Sequence, residues 1–79
     1  MPRDGWQPCS SSAVSAYRHR DGVLDLVFTD ADTYYSFPCS DLLFEDFLAA
    51  PSKGKFVNGV LKPHAAALGW KPAPRPRDP

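Results

Sequence analysis

The stretch from Pro38 to Pro51 constrains this chain more than any other, because it holds the one strong helical pattern between two proline boundaries. Ser40 is placed to cap the first turn, and Asp41 puts a negative charge at the positive end of the helix dipole. Leu43, Phe44, Phe47 and Leu48 recur at helical spacing and predict one apolar face, with Glu45 and Asp46 turned to water. Ala49-Ala50-Pro51 is a sharp stop. A helix this short needs a sheet to cover, so the residues before it should supply strands.

They do so in pattern. Ser11 to Arg20 reads as a first strand without clean alternation, which predicts a bulge. Asp21-Gly22 is a preferred pair for a tight hairpin, since both positions tolerate positive φ. Val23 to Thr29 follows, with Leu24, Leu26 and Phe28 on one side and Asp25 opposite between valines. Asp30-Ala31-Asp32 forms a second turn, and Thr33 to Phe37 is a third strand ended by Pro38. The fold class expected is α+β: a small three-stranded antiparallel meander packed against one α-helix, with a short C-terminal element.

Beyond Pro51 the expectations are looser. Ser52 to Lys55 reads as a basic, glycine-containing loop, and Phe56 to Leu61 as an apolar segment, extended or one helical turn, that closes the open edge of the sheet. Pro63 to Ala67 can add a short turn of helix. Residues 1–10 read as an irregular lead-in around Trp6, which packs at the core edge; 11–70 form the domain. From Lys71 to Pro79 proline alternates with charge, as in a flexible, polyproline-like tail.

At 79 residues the chain is one domain, and no apolar run approaches the ~20 residues that span a membrane. No secretory leader pattern is present, so a soluble cytoplasmic protein is expected. The charges cancel but are segregated: up to Pro51 three arginines face eight carboxylates, while after it six cations face only Asp78. That leaves a local anion site open without strong bulk attraction to nucleic acid, although the basic end can equally pack on the acidic half. Cys9 and Cys39 lack metal-ligand spacing and are expected as free thiols, although one bridge is possible.

Several strings carry a resemblance. Ser11-Ser12-Ala13-Val14, Leu24-Asp25-Leu26-Val27-Phe28, Tyr34-Tyr35 and above all Leu48-Ala49-Ala50-Pro51-Ser52-Lys53-Gly54-Lys55-Phe56-Val57-Asn58 resemble the KTSC domain, across roughly residues 11 to 64. This short module occurs at the C-terminus of some lysyl-tRNA synthetases and as stand-alone small proteins of bacteria and phages. The resemblance implies a small binding module and, through that attachment, possible contact with RNA.

Three function classes follow. Nucleic-acid binding, RNA first, would use Lys53, Lys55 and Lys62 on phosphates, Ser52 and the Gly54 backbone near an oxyanion, and Tyr34 or Tyr35 to stack a base. The plainer reading has Ser52 and Asn58 tying the loop by hydrogen bonds, Gly54 at positive φ, solvated lysines and half-buried tyrosines. A protein-interaction module or homodimer would use an exposed sheet edge with Trp6, Trp70 and the tyrosines. An enzyme would need Cys39 with His19 or His64; a helix N-terminus favours a thiolate, but a small buried cysteine explains the residue better. The expectation is a non-catalytic binding module, with no cofactor and no metal site.

Overall fold

In the structure, a computed structural model, residues 5–29, 31 and 33–76 are described. Asp30 and Asp32 of the expected second turn, Met1–Asp4 and Arg77–Pro79 lie outside these residues. The sheet runs β1 (Gln7–Pro8), β2 (Val14–Arg20), β3 (Val23–Phe28), β4 (Thr33–Pro38) and β5 (Arg75–Pro76), antiparallel and in that spatial order. Helix α1 is Asp41–Ala49. Helix α2 (Lys53–Phe56) continues through a π turn (Val57–Leu61) into α3 (Lys62–Ala67), so the second helical segment is one rod.

The meander forms as the sequence predicts. Asp21 and Gly22 take φ of 53° and 73°, both positive, and set the β2–β3 register. The bulge falls between Val14 and Ala16. Two further strands were not expected. A bare meander leaves unpaired N–H and C=O groups along both outer strands. Gln7–Pro8 pairs with β2 at Ala16 and Tyr17, and Arg75–Pro76 with β4 at Thr33 and Tyr34, each covering part of its edge. Gln7–Pro8 from the expected lead-in and Arg75–Pro76 from the expected tail therefore belong to the sheet. Beyond Pro8 the pairing with the β2 side goes one step further, Cys9 N–H donating to Ser15 O at 3.0 Å.

The second rod also corrects the sequence reading: the expected basic loop is the first turn of a helix, and the segment expected to close the sheet edge lies in the rod, with Val57 and Leu61 packed in the core. Ser52 caps it, its Oγ accepting from Lys55 N at 3.3 Å. The π turn has a local cause. Pro63 can give no N–H to the carbonyl of Gly59, and its ring crowds that carbonyl, so the turn widens. Lys62 N–H accordingly donates to the Val57 carbonyl, five residues back. The rod ends in a Schellman motif: Gly69 (φ 72°) donates to Ala66 O at 3.1 Å and Trp70 N to Ala65 O at 2.8 Å.

Both helical segments pack on one face of the sheet. Leu24, Leu26 and Phe37 from the strands meet Phe47 from α1 and Val57, Leu61 and Ala65 from the rod, all fully buried. Phe47 is the hub, with Tyr17, Phe44 and Phe56 rings within 5.6–6.2 Å. Its burial contributes about 1.5–3 kcal/mol. Of the expected helix stripe, Leu43 and Phe44 are half-buried and Leu48 is exposed. The other face carries a smaller cluster of Trp6, Ala16 and Val27 under Tyr34. Beside it, Asp25 accepts from Arg18 Nε at 2.9 Å, Arg18 Nη2 at 2.8 Å and Ser36 Oγ at 2.6 Å.

Candidate functional site

Alternation along β4 separates the two tyrosines expected to act together. Tyr34 turns to the face without helices, 5.4 Å from Trp6 edge-on, with the Arg18 guanidinium 5.5 Å above its ring. Tyr35 turns to the helix face, 5.6 Å from Phe28. Tyr34 shares a separate hollow with Arg75, its partner across the sheet, and Trp70, whereas Tyr35 joins Gly54, Asn58 and Lys62.

That junction is a cleft of about 650 Å³ between the sheet and the rod. Phe28, Tyr35 and Phe37 line one side and Val57 and Ala66 the other; Trp70 and Pro72 border it, and Gly54, Asn58 and Lys62 bring polar groups. Trp70 is held by its indole N–H, which donates to the Ser36 carbonyl at 2.8 Å. Its place follows from the Gly69 turn that redirects the chain across β4. Four of the candidate residues, Tyr35, Gly54, Asn58 and Lys62, thus share one cavity.

A second cavity of about 560 Å³ adjoins it, lined by Cys9, Ser10–Ser12, Pro51 and Ser52–Lys55, and it shares Ala13, Gly54 and Asn58 with the cleft. Gly54 stands at the divide for a reason other than the expected positive φ. A Cβ there would lie 3.0 Å from the Ala13 methyl, so close approach of the rod to the residue just before β2 explains the glycine.

Lys53 is not the solvated side chain the sequence suggests. Its ammonium donates to Ala50 O at 2.7 Å and Leu48 O at 3.1 Å, and lies 5.5 Å from the Phe47 ring centroid. It satisfies the carbonyl end of α1, where a cation also offsets the helix dipole. Lys55 and Lys62 are exposed and available. Ser52 ties its segment by a cap as expected, whereas Asn58 is exposed at the mouth of both cavities.

The residues weighed for catalysis are arranged otherwise. His19 Nε2 lies 2.8 Å from the Cys39 carbonyl, to which it donates, and its ring stacks on Phe44 at 4.2 Å. The imidazole therefore engages the backbone of Cys39 and not its thiol. Cys39 is buried, and burial, with Asp41 adding to it, pushes its pKa up to about 11, against the thiolate expected at a helix start. Cys9 and Cys39 are both free cysteines. Among the described residues no three potential ligands of the His, Cys, Asp and Glu types cluster as a metal site. Nor is any helix there long and apolar enough to cross a membrane. Of the aromatic patch expected for a protein partner, Trp6 is buried and Tyr34 packs on it, while Trp70 stays 38% exposed.

No family model matches the chain, and no solved structure does. An uncharacterised protein of Tsukamurella paurometabola is 42% identical over 64 residues, which cover 78% of this chain and 96% of the relative. Identity at that level over nearly the whole of the relative means that the chain belongs to the same family as the Tsukamurella protein.

Proposed function

We propose that this is a small, non-catalytic binding module for single-stranded RNA, working through the cleft between sheet and rod. The observation that carries the reading is the meeting of Tyr35, Trp70, Asn58 and Lys62 around one apolar-floored cavity. Unstacked bases are recognised by aromatic side chains, and an amide beside them can read a base edge. Lys62 supplies the charge that a neighbouring phosphate requires. The resemblance to the KTSC module supports the same direction. Tyr34 leaves the expected site, packed edge-on against Trp6, and Lys53 lines the adjoining cavity and not the cleft.

A fluorescently labelled oligonucleotide titrated into wild-type protein and Lys62→Glu tests the proposal. Binding that falls steeply with salt and weakens about tenfold or more in the variant is expected. Equal binding by both proteins would remove the cleft from the function.

A second reading, a protein partner, is favoured by Leu42 and Leu68, which are 76% and 61% exposed. Association through such side chains would survive salt that abolishes phosphate contacts.

A further inference from the structure

We infer that the serine-lined cavity beside the cleft is a subsite for one phosphate group, and that the nucleotide carrying it reaches past Gly54 to place its ring in the cleft. This deepens the RNA reading and rests on it.

The chemistry of the lining is one-sided. Among the described residues, the cavity has hydroxyls from Ser10, Ser11, Ser12 and Ser52, the cations Lys53 and Lys55, and no carboxylate. Two of the hydroxyls are already oriented. Ser11 Oγ accepts from Ala13 N at 3.1 Å and Val14 N at 3.3 Å, and Ser52 Oγ accepts from Lys55 N. A hydroxyl whose oxygen accepts backbone N–H groups directs its own proton elsewhere, so both serines present donors. Lys53 spends two of its three N–H groups on α1 carbonyls and keeps one with its charge. Lys55 is exposed, and its backbone N–H donates to Ser52 Oγ.

Donors and positive charge without a competing acid fit a phosphate. The shared lining residues Ala13, Gly54 and Asn58 make the two cavities neighbours across a glycine. A base on the aromatic side and its phosphate on the serine side would be joined by a sugar crossing that divide.

The test is an NMR titration of ¹⁵N-labelled protein with adenosine monophosphate, adenosine and inorganic phosphate, in wild type, Lys55→Glu and the milder Lys55→Gln. The monophosphate should bind about tenfold more tightly than adenosine and shift the Ser11, Ser12 and Lys55 amides together with the Trp70 indole. Both lysine variants should lose that advantage while adenosine binding stays unchanged. Adenosine and its monophosphate binding alike at the Trp70 side would overturn the phosphate subsite and leave the cleft reading standing. Inorganic phosphate shifting the serine amides while neither adenosine ligand reaches the cleft would overturn the nucleotide bridge and the RNA reading, and leave an anion site alone.

Discussion

Gly54 and Ala13 approach so closely that a Cβ on the glycine would stand 3.0 Å from the alanine methyl. This contact seats the rod on the sheet and divides the two cavities. Ala13 has little room to yield, because its carbonyl accepts from Thr29 N at 2.9 Å and Ser11 Oγ holds its N–H. Alanine in a helix normally stabilises over glycine by roughly 0.5–1 kcal/mol. Here overpacking should outweigh that gain, and Gly54→Ala should lower stability by about 1 kcal/mol. Urea unfolding of Gly54→Ala, Ala13→Gly and the double variant checks it: the double should recover much of the loss, showing coupling between the two positions.

Lys53 and Lys55 should separate by what they affect. Lys53→Met strips two hydrogen bonds from the last carbonyls of α1, and for a half-buried ammonium the cost should be about 1 kcal/mol. Lys55→Met should stay within about 0.5 kcal/mol of wild type. Thermal melts of the two variants decide it; equal losses would contradict the assignment of Lys53 to the fold.

Asp25 carries the smaller face of the sheet. Asp25→Ala would remove the carboxylate that accepts from Arg18 Nε and Nη2 and from Ser36 Oγ, beside an arginine that is 9% exposed. A loss of about 1.5–3 kcal/mol is expected from the charge-assisted hydrogen bonds removed, measured by denaturant unfolding. A loss under about 1 kcal/mol would mean that the pair contributes little.

Much of this was legible in the residues. The Asp21-Gly22 turn sets Arg20 opposite Val23 and, counting back, Arg18 opposite Asp25, so the buried pair could be read from hairpin register alone. Helix α1 was legible from Ser40 and its apolar spacing. The rod was harder to see: Gly54, Gly59 and Pro63 each argue against a helix locally, and packing of Val57, Leu61 and Ala65 on the sheet overrides them. Its stop signal, Gly69, was present and would have placed Trp70. The outer strands carry no pattern of their own, since two residues and a proline cannot show alternation; they exist because the meander has edges. Tyr35, Gly54, Asn58 and Lys62, picked out by residue type, line one cleft. Phe28, Phe37 and Ala66 joined them only through the fold.

Cys39 makes a pH prediction. The buried thiol stays protonated up to about 11, whereas an unfolded cysteine ionises near 9.0. Above pH 9 the unfolded state holds fewer protons, so stability should be intact below 9 and fall between about 9 and 11. Cys39→Ala should lack that component in melts taken across the range. At pH 8 a thiol reagent should label half-buried Cys9 well before Cys39.

The central claim is that the cleft binds single-stranded RNA, and the most direct measurement is an NMR titration of the labelled protein with a short RNA at two salt concentrations. Shifts should centre on Tyr35, Gly54, Asn58, Lys62 and the Trp70 indole, spare Tyr34, and weaken as salt rises. An unchanged spectrum at low salt, or shifts confined to the Trp6 and Tyr34 face, would contradict it.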